Sequence, residues 1–166
     1  MKLQHLSRLS LVVATIGALL QAGAQLFAVA VIVSTAVEAP PRSLAIYAGE
    51  YGYDSSHFWE IMPTINLALL FVALLANWKT PRRRFVLVAV TAFVIAGLFA
   101  AFVTGPLQSE IISAGFSESV DPALKVRAAR WYIFDWTSWA LTLVPGLVLV
   151  FALSATSSES ARVESA

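Results

Sequence analysis

Charged residues in this chain fall into clusters separated by four long apolar stretches. Leu9 to Val37, Ile61 to Trp78, Phe85 to Ser109 and Trp136 to Ser158 carry no charged side chain. A helix crossing about 30 Å of hydrocarbon at about 1.5 Å per residue needs roughly 20 residues, which each stretch reaches within a residue or two. Hydrocarbon offers no partners to backbone polar groups, so each apolar stretch must satisfy its own amides by coiling into a helix. The alternation of a membrane barrel is absent. The pattern therefore predicts an all-α protein, an integral membrane four-helix bundle over residues 1–153. Its spans are expected at about 9–37, 60–78, 85–107 and 131–153, followed by a disordered tail, 154–166, rich in Ser, Ala and Glu.

The spacing of lysine and arginine sets the expected orientation. Lys2 and Arg8 precede the first stretch, and Lys79, Arg82, Arg83 and Arg84 crowd the short second connection. The first connection has Arg42 against Glu38, Glu50, Asp54 and Glu60, and the third balances Lys125, Arg127 and Arg130 with Glu110, Glu118 and Asp121. Positive charge stays inside, so both termini and the second connection are expected in the cytoplasm, in a multi-pass protein of the plasma (inner) membrane. The basic run Lys79 to Arg84 reads as a topology anchor before a headgroup or nucleic-acid patch, and no nucleic-acid partner is expected. A cleaved signal peptide ending near Ala22-Gly-Ala24 competes for the N-terminus. Against it, the apolar run continues unbroken to Val37, and cleavage would leave a remnant too short to span.

Composition agrees with the pattern. The 166 residues are 58% hydrophobic and 13% charged, where soluble domains run nearer a quarter charged. There is no cysteine, which excludes disulfides, thiolate metal sites and cysteine nucleophiles, and there are only two histidines, His5 and His57. No metal or organic cofactor is expected. Trp59, Trp131, Trp136, Tyr47, Tyr51, Tyr53 and Tyr132 gather at the predicted outer side and Trp78 at the inner, as an interfacial belt would. Pro40 and Pro106 are expected to stop the first and third helices. Asp121-Pro122 reads as an N-cap with proline at the first helical position, opening a helix that runs directly into the fourth span.

Candidate chemistry lies in polar residues near the outer helix ends. His57 and Glu60 are one turn apart, Asn66 is deeper in the second span, and Gln108 and Glu110 follow Pro106. Arg127 and Arg130 precede Asp135, which Trp131, Trp136 and Trp139 flank. An ionisable group at membrane depth usually faces the bundle and has a partner, so Asp135 is expected to pair with Arg130 or Arg127 or to bond to a facing helix. Each residue has a plainer reading: Asp135 as a structural lock, His57 with Glu60 as a wet helix start, Gln21, Gln25 and Asn66 as interhelical glue. No P-loop, nucleophile elbow, dinucleotide turn or zinc motif occurs.

The segments Phe58-Trp-Glu-Ile-Met-Pro-Thr-Ile-Asn66, Thr104-Gly-Pro-Leu-Gln-Ser-Glu110 and Arg130-Trp-Tyr-Ile-Phe-Asp135 together resemble the anthrone oxygenase-like family of small four-span membrane proteins of unknown function. Gln108 and Asp135 stand where that family commonly has asparagine. The resemblance implies a cofactor-independent oxygenase acting on a lipophilic aromatic substrate. Asp135 or Glu110 would be the base, His57 an acid or base, and Arg130 or Gln108 would hold an anionic intermediate. Glu60, Asn66, Trp131 and Trp139 would complete the substrate site. A non-catalytic protein holding a lipophilic small molecule, and an accessory membrane subunit, are the competing classes. The expected partners are the lipid bilayer and such a small molecule, with a second copy of the chain left open.

Overall fold

The computed structural model describes residues 2–154. The expected tail, apart from Ser154, lies outside them. Among the described residues four helices are long and apolar enough to cross a membrane: His5–Ala36, Ser56–Ala76, Arg83–Ser113 and Pro122–Ser154. They alternate in direction, each packs on its neighbours in sequence, and the fourth closes the ring against the first. One end of the bundle carries the first and last described residues and the turn at 77–82. The other carries the connections at 37–55 and 114–121. These are called below the terminal end and the loop end.

Three of the boundaries follow from local chemistry. The fourth helix starts at Pro122, where Asp121 Oδ1 accepts from the amide of Ala123 at 2.8 Å, as the expected cap requires. The second helix ends against Asn77, which is fully buried; Ser7 Oγ donates to its side-chain oxygen at 2.6 Å, and its Nδ2 donates to Ser7 O and Ala73 O. The first helix ends at Ala36, before Pro40, as expected.

The third helix departs from expectation. Pro106 does not stop it. The helix runs as α over Arg83–Phe99, widens to π spacing over Ala100–Thr104, and resumes over Gly105–Ser113. A proline within a helix removes one donor and crowds the preceding turn, and the π stretch just before Pro106 absorbs both changes without ending the helix. The first helix has a similar interruption, with π spacing at Ala28–Val33 between Lys2–Phe27 and Ser34–Ala36.

Two cores result. Towards the terminal end, Leu11, Ala14, Leu70, Ala73, Val86, Ala89, Leu149 and Ala152 from all four helices pack together, with at most 1% of any surface exposed. At the loop end Val33, Ala36, Ile111, Leu124, Ala128 and Trp131 enclose Leu44 of the first connection. The second helix contributes nothing to that second core, because it has 21 residues against 31 to 33 for the other three. The first and third connections take its place, joined by the amide of Asp121 donating to Pro40 O at 3.0 Å and by a bridge between Pro41 and Val120.

Candidate functional site

Between the two cores lies a cavity of about 370 Å³ walled by all four helices and the first connection. Both π stretches are in its wall. Ala28, Ile32 and Val33 line it from the first helix, and Ala100, Ala101 and Thr104 from the third. A π turn inserts a residue and shifts the following side chains around the helix, so two such turns at one level part helices that touch elsewhere. The second helix adds Trp59 and Pro63. Pro63 has no amide hydrogen to give the Trp59 carbonyl one turn back, so this wall too is locally loosened.

Just beneath the cavity the helices approach closely. A Cβ on Gly146 of the fourth helix would sit 2.6 Å from Leu19 Cδ2, and one on Gly17 would strike the Asn66 side chain. Asn66 is 1% exposed and donates through Nδ2 to Gly17 O at 3.1 Å and to Gln21 Oε1 at 2.6 Å. One turn on, Gln25 Nε2 donates to Ser138 Oγ of the fourth helix at 3.0 Å. Gln21, Gln25 and Ser138 also face the cavity. They tie helices together and line the void at once.

Asp135 lies on the same stripe of the fourth helix as Ser138 and Thr142, three and seven residues on, and all three line the cavity. The expected pairing of Asp135 with Arg130 or Arg127 is not formed. Arg130 is five residues away, about 140° around the helix, and points outward. Arg127 instead donates from Nε to Glu110 Oε1 at 3.2 Å, across to the third helix, with both side chains about half exposed. No ion pair or hydrogen bond to Asp135 is formed among the described residues. The carboxyl group therefore meets the void without a cation of its own.

The loop end of the cavity is closed by Tyr47 and Tyr53, whose rings pack 6.1 Å apart. The first connection folds back to bring them together. Gly49 takes a left-handed φ of 81°, Tyr53 N donates to Ile46 O at 2.8 Å, and a Cβ on Gly52 would lie 2.5 Å from Tyr47 O. Burial first, then the neighbouring Tyr53 and Asp135, push the Tyr47 phenol up to about 12, so at neutral pH it is a hydrogen-bond donor.

Of the residues singled out in the sequence, Asp135 and Gln108 line the cavity. His57 and Glu60 are exposed at the start of the second helix, and Glu110 and Arg130 are exposed at the loop end. Asn66 acts one layer below, through Gln21. Trp131 is 1% exposed within the loop-end core, and Trp139 packs edge-on against Trp136 at 5.4 Å, away from the void. Residues read only as glue or belt, namely Gln21, Gln25, Tyr47, Tyr53 and Trp59, are wall residues. Ser138, Thr142 and Thr104 were not singled out at all. Their signal was the recurrence of small or polar residues at helical spacing, as in Asp135-Ser138-Thr142 and Gly97-Ala101-Gly105-Gln108. Among the described residues no three His, Asp or Glu side chains converge to hold a metal ion. No protein-family model, curated protein or solved structure matches this chain.

Proposed function

We propose that this is a multi-pass membrane protein that binds a lipophilic aromatic molecule in the cavity between its four helices. The observation that carries the reading is a void whose walls are mostly apolar and which a carboxylate without a cation, three glutamines and two tyrosines face. Pockets for small molecules combine apolar walls with a few convergent polar groups in this way. Access from the bilayer has a natural route. Beyond Phe99 the third helix packs chiefly on the fourth, and Gly97 and Ala101, both in the cavity wall, are exposed.

Catalysis is the stronger form of the reading, and the resemblance to anthrone oxygenase-like proteins gives it a definite chemistry. Asp135 would take a proton from an activated CH2 group, and Tyr47 or Gln108 would donate to the oxygen on which charge develops. The carbanion reduces O2, one oxygen stays on carbon as C=O, and the other leaves as water. In sum, CH2 and O2 give C=O and H2O. The N-terminus and the 77–82 turn would lie in the cytoplasm, because they hold the unbalanced lysines and arginines, and an even number of spans would put the C-terminus on the same side.

Anthrone is a suitable probe. Its binding should quench Trp59, so a Trp59→Phe variant should lose most of the signal, and Ala100→Phe should abolish binding by filling the void. Oxygen uptake measured alongside separates the two forms: binding without uptake leaves a binding protein only. Unchanged binding in Ala100→Phe would sink the cavity reading. For orientation, cysteines at Ser43 and Ser117 should react with an impermeant maleimide on intact cells, while one at Thr80 should not. The reverse pattern would invert the protein.

A further inference from the structure

A second site, separate from the cavity, lies at the terminal end. Lys79, Arg82, Arg83 and Arg84 stand within six residues of the turn, and no acidic side chain pairs with any of them among the described residues. The turn holds them in place. Thr80 donates through N and Oγ1 to Asn77 O at 3.0 Å each, Arg83 N donates to Thr80 O at 3.1 Å, and the Arg83 guanidinium lies 5.3 Å from the centre of the Trp78 ring.

Two hollows meet at this turn. A polar one of about 310 Å³ is lined by Trp78, Lys79, Thr80 and Arg83. A long apolar groove of about 890 Å³ runs along Phe85 and Val88 of the third helix and Val148 and Phe151 of the fourth. Pro81 and Arg84 belong to both. An anchor that merely fixed topology would need the charges but not a groove continuous with them. A ligand matching both hollows has an anionic head and an apolar chain. We propose that the second connection binds one anionic phospholipid, its phosphate held by Lys79, Arg83 and Arg84 and one acyl chain laid between the third and fourth helices.

Native mass spectrometry of the full chain in detergent tests this, with dioleoyl phosphatidylglycerol and dioleoyl phosphatidylcholine as probes. The anionic lipid should be retained at least about tenfold more tightly, since each of the three basic side chains at the headgroup favours a net negative charge. Arg83→Gln with Arg84→Gln should remove that preference. Val148→Trp, which fills the groove and leaves every charge in place, should weaken retention of the anionic lipid in a chain whose orientation is untouched. Equal retention of the two lipids by the unaltered chain would overturn the proposal, as would undiminished retention of the anionic lipid in Val148→Trp. So would inorganic phosphate protecting the protein from heat as well as the lipid does, which would make this a simple anion site.

Discussion

Towards the terminal end the four helices meet through alanine and leucine, with Ala14, Ala73, Ala89 and Ala152 letting backbones come close. Nearer the loop end the same helices part around a cavity, although Ala28, Ala96, Ala100 and Ala101 supply equally small side chains there. Small residues alone therefore do not decide between contact and void. In the packed half they lie on regular α-helix and face one another across a seam. In the hollow half they lie on or beside π turns and next to Pro63, and the second helix stops too early to close the gap.

The comparison is most directly broken by adding the same bulk to each half. Ala89 is fully buried, and Ala89→Phe should cost about 3 kcal/mol or prevent assembly, since a close-packed seam cannot take a ring. Ala100→Phe, eleven residues along the same helix, should cost under about 1 kcal/mol because a void receives the ring. Thermal unfolding in detergent checks both. Equal losses would mean that the cavity is not a persistent space.

Removing charge should also separate the halves. With no partner to strand, Asp135→Leu should leave stability unchanged or raise it by about 1 kcal/mol, while anthrone binding is lost. A stability loss of several kcal/mol would reveal a partner for the carboxylate and return Asp135 to a structural role.

The sequence carried the all-helical fold, its four long apolar helices and the start of the fourth helix at Pro122, because runs without charge and proline at a first turn act locally. It did not carry the fate of Pro106, since whether a missing donor ends a helix or is absorbed by a π turn depends on how the fourth helix packs alongside. The site was half legible. Asp135 stood out as an ionisable group inside a helix and Gln108 as a polar group after Pro106, and both line the cavity, but His57, Glu60, Glu110 and Arg130 share their level in the sequence and do not. Depth follows from position along a helix; facing follows from its neighbours. Trp131 was read as belt and substrate wall, and the extra length of three helices beyond the second buries it instead.

A smaller effect is expected from the polar locks that bracket the cavity region. Asn77→Ala removes two side-chain bonds to Ser7 that link the first and second helices at the terminal end, and one to Ala73 O within the second, in a fully buried place. Interhelical bonds of this kind average about 0.6 kcal/mol, so a loss of about 1 kcal/mol is expected in the packed half. Gln25→Ala frees only Ser138, beside a void that can admit water, and should cost less. If Gln25→Ala proves the more damaging, the hollow half is held by its polar bonds rather than by the cores on either side.

The least effect should come from the contact that took Arg127 away from Asp135. Arg127 and Glu110 bridge the fourth and third helices at the loop end, 3.2 Å apart, but each side chain is 51% exposed. Pairs this open typically contribute 0 to about 1 kcal/mol, since water screens the charges and two long side chains lose freedom. The loop-end core lies directly inside the pair, with Ile111 and Leu124 almost wholly buried, and supplies the attachment between the two helices without it. Arg127→Ala and Glu110→Ala should each shift unfolding by less than about 0.5 kcal/mol, and the double variant should match their sum to within about the same margin. Anthrone binding should be unchanged in all three, because neither residue lines the cavity. A loss of binding in Arg127→Ala alone would show that this arginine reaches Asp135 when a ligand is present, and the carboxylate would then have a cation after all.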